Sequence, residues 1–245
     1  MMLTGNLATS RQQRISDEPG VLTLGRTRGV AEHFSALVAR HLRTDIALEA
    51  DTYTSSYKNE FPGSYRAIFI VIDSPQALED NLALVENLRA DNLKPIICVA
   101  ITGRGAFNKI KYFLAGADFC IKFNTVSDEG SELLAEFFNS EEWQRDINLM
   151  LDPTRICLSD TSRKLDISFA EMKILEAFAQ TGNHILSHDE IASIMGLNSN
   201  FYDPRALEKS ISRLRGKIKD VYGTNAIQSI RGYGYRLMRG LISTA

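Results

Sequence analysis

"DPRALEKSISRLRGKIKD", residues 203–220, holds six Lys/Arg and three Asp/Glu with no aromatic residue, in a chain of 245 residues whose formal net charge is only -2. A helix turns about 100° per residue, so side chains three, four and seven apart share a face. Leu207, Ile211, Leu214, Ile218 and Val221 then lie within roughly 80° of arc, the stripe of a helix packed on a core. Arg205, Lys209, Ser212, Arg213 and Gly216 take the opposite side. Asp203 suits the N-cap because its carboxylate can accept from an orphan backbone N–H. Pro204 suits a first position that needs no donor, and Gly223 closes the C-terminal end. The segment presents cations around a small-residue floor. By itself it reads either as a solvated helix face or as a surface that lies against an anion.

The residues around it favour the second reading. "AIQSIRGYGYRLM" (226–238) is two short strands around the turn Arg231-Gly232-Tyr233-Gly234. Upstream, "SFAEMKILEAFAQTG" opens on a capping box, Ser168 with Glu171, and stops at Gly182, while "SHDEIASIMG" repeats the device with Ser187 and Glu190. "INLMLDPTRICLS" and "KLDIS" read as short strands of a small antiparallel sheet. Three helices and a terminal hairpin make a winged helix-turn-helix, which offers its third helix to a major groove. Charge supports this. Residues 1–150 carry 15 Lys/Arg against 20 Asp/Glu, whereas 203–239 carry nine against three. A local positive field on a near-neutral protein points to a polyanion met by one region only.

The front half has another rhythm. "VLTLG", "ALEAD", "AIFIVID", "PIICVAI" and "DFCIKF" read as strands, separated or followed by the helical segments "AEHFSALVARHL", "ALEDNLALVENLRAD", "AFNKIKYFLAGA" and "SELLAEFFNSEEW". Continuous apolar strands are those buried on both faces of a parallel sheet, so this is a doubly wound α/β domain. We expect a disordered tail over 1–19, the α/β domain over 20–143 and the winged helix over 144–245. The longest apolar runs, "AIFIVI" and "IICVAI", are far below a membrane span, so no membrane partner and a cytoplasmic location are expected. Cys98, Cys120 and Cys157 lack metal-ligand spacing and read as apolar strand filler, with a Cys98–Cys120 redox pair as the rival reading. His184 and His188 stand in H-x3-H spacing without a following glutamate, and no metal or other cofactor is expected.

With "ISRLRGKI" followed by "IQSIRGYGYRLM", the C-terminal half resembles the effector domain of OmpR/PhoB-family response regulators. The resemblance implies a transcription regulator bound to double-stranded DNA. It carries Arg205, Lys209, Ser212 and Arg213 to the major groove and Arg215 and Lys217 to flanking phosphates. It carries Arg231, with Gly232 and Tyr233, to a wing in the minor groove, and lets the loop before the third helix meet RNA polymerase. Guanidinium can bond guanine bidentately, whereas point-like Lys mainly neutralises phosphate. The glycines at 232 and 234 are expected to turn the wing without a Cβ facing DNA.

The front half resembles the receiver domain of the same family, flavodoxin-like in fold. Asp73 ends the strongest strand, where the family's phosphate acceptor stands, and Lys122 follows "AGAD" (115–118) one residue short of the family spacing. Either Ala100 or Thr102 takes the place of the switch hydroxyl. The acidic pair expected after the first strand is replaced by Gly25 and Arg26, and the proline after the lysine by Phe123. Aspartyl phosphorylation needs Mg²⁺, and a hard cation needs clustered oxygen ligands. Asp73 therefore reads first as a strand-end carboxylate and second as an acceptor served by a histidine kinase, and the domain reads as an atypical, degenerate receiver. The family's dimer face falls near Lys111, Asp118, Glu132 and Glu136, so a homodimer is expected. An enzyme reading from "TGRGAF" (102–107) fits neither a Walker loop nor GxGxxG, and no catalytic constellation assembles.

Overall fold

The computed structural model describes residues 19–53, 65–74, 78–91, 95–103, 107–123, 129–144, 147–198 and 201–244. The tail expected over 1–19 lies, except for Pro19, outside them. So do Arg104, Gly105 and Ala106 of "TGRGAF".

Five parallel strands, β1 (Gly20–Gly25), β2 (Leu48–Thr52), β3 (Tyr65–Ile72), β4 (Ile96–Ile101) and β5 (Phe119–Lys122), form one sheet in the order β2-β1-β3-β4-β5. That order is the doubly wound arrangement expected, with its switch point between β1 and β3. Alternation along β3 explains the two-sided burial. Ile68, Ile70 and Ile72 pack with Leu84, Val85 and Leu88 of α2 (Leu78–Asp91) and Tyr112 of α3 (Lys109–Ala115). Ala67, Phe69 and Val71 pack with Phe34 and Val38 of α1 (Arg28–Ala39) and with Leu134, Phe137 and Phe138 of α4 (Glu129–Phe138). "SELLAEFFNSEEW", read as one helix, breaks into α4 and a short α5 (Glu141–Gln144), whose Trp143 completes the second cluster. Arg66 fastens that end of the chain by donating to the Trp143 carbonyl while lying over its ring.

Register separates the two strand cysteines. Val99 faces Cys120 across β4 and β5, and Cys98 faces Phe119, so the thiols point into opposite layers and cannot pair. Burial raises both thiols well above their ordinary range, Cys120 to about 12, as expected of inert packing groups.

The second body begins with the antiparallel strands β6 (Leu149–Asp152), β7 (Cys157–Ser159) and β8 (Lys164–Asp166). Helices α6 (Phe169–Gln180), α7 (His188–Ile194) and α8 (Pro204–Tyr222) follow, with β9 (Ile185–Ser187) ahead of α7 and β10 (Ile227–Ile230) and β11 (Gly234–Leu237) after α8. Both capping boxes form as read, on Ser168–Glu171 and Ser187–Glu190. Two strands escaped the sequence reading. β9 pairs with β11, and β12 (Ile242–Thr244) returns beside β6 in parallel, at the edge of the first sheet. Neither could be read from periodicity, because three residues are too few to show an alternation. One core joins the three helices to both sheets through Leu149, Leu175, Phe178, Ile191, Ile211, Leu214 and Leu237.

Candidate nucleic-acid interface

Helix α8 is built as its sequence dictates. Asp203 accepts from Arg205 N, Pro204 opens the helix, and Gly223 ends it in the left-handed region at φ 74°. Leu207, Ile211, Leu214, Ile218 and Tyr222 are buried, and Val221 packs at the edge of the same core. Arg205, Lys209, Ser212 and Arg213 are all exposed on the opposite side. The apolar stripe lies in the core, and these four lie on the side turned away from it.

Arg215 and Lys217, expected to flank this face, each have a partner within the chain. Arg215 Nη2 donates to Ser229 Oγ at 2.9 Å, and its guanidinium lies 5.2 Å from the Tyr235 ring centroid. Burial lowers its pKa from the ordinary value. The side chain thus ties α8 to the hairpin instead of standing free. Lys217 Nζ meets Glu171 Oε2 at 2.8 Å, on the carboxylate that also accepts from Ser168 N in the capping box. Glu171 is a residue whose second task could not be seen from the sequence, where only its capping spacing shows.

The wing turn comprises Arg231, Gly232 and Tyr233, of which the first two are exposed and the third half-buried. Gly232 sits at φ 77° with open space around it, so its freedom of backbone is what the turn requires. Gly234 answers a different need. A Cβ there would collide with the Leu186 carbonyl of β9, so this glycine lets two strands approach rather than clearing a path for DNA.

At the carboxyl ends of β3, β4 and β5 the structure brings together the other residues singled out by sequence. Asp73 is exposed after β3, Thr102 follows β4 with its hydroxyl 3.4 Å from the Ile72 carbonyl, and Lys122 ends β5. Gly25, at the end of β1, has the Ala31 backbone N of α1 only 2.7 Å from where a Cβ would stand. A carboxylate could not be placed there without moving the helix. Next to this corner, Tyr53 donates to Asn81 Oδ1 at 2.8 Å, and burial, with the Asp73 charge second, raises its phenol well above its ordinary range. Among the described residues no group of three or more His, Cys, Asp or Glu could hold a metal ion. His184 and His188 do not converge on one: His184 lies at φ 56° in the turn before β9, and His188 packs edge-on against Tyr235 at 5.4 Å. Of the expected dimer-face residues, Lys111, Glu132 and Glu136 are exposed, but Asp118 is buried against its own chain.

Residues 162–237 match the family model described as "Transcriptional regulatory protein, C terminal". The heme response regulator HssR of Staphylococcus epidermidis is 26% identical over 211 residues, covering 82% of this chain and 91% of that protein. The transcriptional regulatory protein CusR of Escherichia coli is 25% identical over 199 residues, covering 77% and 85%. The crystal structure of the Thermotoga maritima response regulator DrrB, an OmpR/PhoB homolog, aligns over 90% of this chain and all of its own at 14% identity, with a TM-score of 0.37. No helix among the described residues is long and apolar enough to cross a membrane.

Proposed function

We propose that the chain is an OmpR/PhoB-type response regulator with a DNA-binding domain, that it reads specific duplex sequences with α8 and the wing, and that its receiver-like domain works without Mg²⁺-dependent phosphorylation. The observation that carries the first part is the free cationic face: Arg205, Lys209, Ser212 and Arg213 on α8 and Arg231 on the turn are exposed. Guanidinium groups can bond base edges in the major groove, and an exposed arginine on a tight turn suits a narrow minor groove. The test is a gel shift with duplexes selected from a random pool by the full chain, at two salt concentrations. Binding that persists at the higher salt only for selected duplexes supports the reading; equal loss on all sequences rejects it.

The second part follows from Gly25. The acidic pocket that would hold the cation is missing from β1, and the α1 backbone closes the space a longer residue would need. Asp73 remains exposed, which keeps kinase-driven phosphorylation as the alternative. Incubation with a small phosphodonor and Mg²⁺ decides between them: a stable aspartyl phosphate on Asp73 would reject control without phosphoryl transfer.

Further proposals concern partners. A homodimer formed through the receiver-like domain would use Lys111, Glu132 and Glu136, because Asp118 is engaged within the chain. Two copies on neighbouring half-sites would gain occupancy by avidity. RNA polymerase would meet the segment before α8, where Phe201 is 87% exposed. Domain limits near residues 20–143 and 144–245 and action in the cytoplasm complete the reading.

A further inference from the structure

The hairpin that carries the wing is fastened at both of its feet to the receiver-like domain. On the incoming side, Glu141 of α5 takes three hydrogen bonds: Thr224 Oγ1 at 3.0 Å and Asn225 N at 2.7 Å on Oε2, and Asn225 Nδ2 at 3.1 Å on Oε1. On the outgoing side, Arg239 Nε donates to Asp118 Oδ1 at 2.9 Å, and Arg236 of β11 donates to the Asp118 backbone carbonyl. The Arg236 guanidinium lies 5.2 Å from the Phe113 ring centroid and 5.4 Å from that of Phe119, at the edge of α3 and β5. Beside them Asn183 Nδ2 donates to the Leu114 carbonyl at 3.2 Å.

Asp118 is itself held rigidly by the domain it belongs to. Its Oδ2 accepts from Arg89 Nη2 at 2.6 Å and from Ile97 N at 2.9 Å. Asp118, Arg89 and Arg236 are only 5–6% exposed, so these charges meet with little water between them. In such surroundings a charge pair is geometrically demanding, and the loss of one partner is poorly tolerated.

The contrast with the ligand-facing side is informative. Among the described residues, no hydrogen bond or ion pair joins the side chains of Arg205, Lys209, Ser212, Arg213 or Arg231 to the receiver-like domain, and all five are exposed. The contact between domains therefore clamps the base of the hairpin and leaves its tip and the α8 face uncovered. Strands as short as β10 and β11, four residues each, are marginal on their own. Fixing their feet removes freedom that would otherwise be lost when the tip docks.

We infer that the receiver-like domain grips the wing through Asp118 and Glu141, and that this grip presents the wing tip and α8 together in a form already competent to bind DNA. The inference rests on the DNA reading above and adds a role for the front domain: it preorganises the reader. Asp118 and Glu141 act as positioning residues, without touching the ligand.

The experiment uses the full chain with Glu141→Gln, Arg239→Gln and both together, and a duplex selected by the parent chain. The double variant should show faster hydrogen exchange at the amides of residues 226–237 and a DNA affinity lower by about five- to fifty-fold, the range of a modest coupling between sites. Because the wing is then poorly placed, Arg231→Ala should cost less affinity in the double variant than in the parent. Unchanged exchange overturns the grip and leaves the DNA reading intact. Faster exchange with equal or tighter binding overturns the preorganising role, since the contact would then be idle or inhibitory. A parent chain that binds no duplex overturns the DNA reading and this inference with it. The single variants guard against misfolding of the pair, and one that keeps the parent's circular dichroism and melting temperature must, like the pair, speed exchange and weaken binding.

Discussion

Arg213 and Arg236 belong to the same body and the same residue type, yet the structure uses them in opposite ways. Arg213 stands exposed on α8 with its guanidinium open to a ligand, whereas Arg236 is buried between two aromatic rings and a backbone carbonyl of the receiver-like domain. The region around Arg213 is an exposed cationic surface. The region around Arg236, Arg239 and Asp118 is a joint whose charges are already consumed. A count of basic residues over 203–239 merges the two, and only part of that positive charge is available to DNA.

The comparison breaks most sharply at Asp118. Asp118→Ala would leave Arg89 and Arg239 buried without their carboxylate, and we expect a loss of about 3–5 kcal/mol of stability in a denaturant titration. A loss under about 1 kcal/mol would mean that the joint is solvated. The same group sets an acid limit. Burial opposes the charged form of Asp118, but Arg89, Arg239 and Arg236 outweigh it and hold the pKa below the ordinary carboxylate value. A depressed pKa in the fold contributes stability that is complete above the unfolded value, near 4, and fades as pH falls through the folded one. Melting curves below about pH 4 should show this dependence in the parent and lose it in Asp118→Asn.

Gly234→Ala probes the hairpin from inside. The new methyl group would meet the Leu186 carbonyl of β9, and forcing the strands apart should cost about 1–3 kcal/mol, read as a lower melting temperature. Gly232→Ala, in open space but at positive φ, should cost about 1 kcal/mol or less.

Binding substitutions sharpen the other region. Arg213→Ala should weaken binding to a selected duplex by about 1–3 kcal/mol and relax its sequence preference, while leaving the melting temperature alone. Lys217→Ala should have the smallest effect. Its ion pair with Glu171 is partly solvated, so stability should change by under about 1 kcal/mol, and the salt slope of DNA binding should flatten by no more than about one. An effect of Lys217→Ala equal to that of Arg213→Ala would remove the distinction between paired and free cations.

Much of the fold was legible because its signals are local. The α8 stripe, its Asp203 and Gly223 ends and both capping boxes depend on spacings of three to seven residues, and each appears as read. The apolar runs of β3 and β4 announced a sheet covered on both faces. The gaps have physical causes. β9 and β12 are three-residue strands held by partners far away in sequence. A sequence does not show that β9 passes behind Gly234, where a Cβ would meet the Leu186 carbonyl. The resemblance that carries Arg215 to a phosphate does not show its neighbours within the chain, here Ser229 and Tyr235.

The sequence by itself determined two bodies of different style, the order of their longer elements, a cationic helix face with a glycine-rich wing, and a receiver-like sheet lacking the acidic pair. These follow from periodicity, caps and residue chemistry, which act over a few bonds. Only the tertiary structure decided which charges are free. Whether a guanidinium faces water or a carboxylate depends on what another segment brings to it. Asp118 and Arg239 are 121 residues apart in the chain and 2.9 Å apart in space.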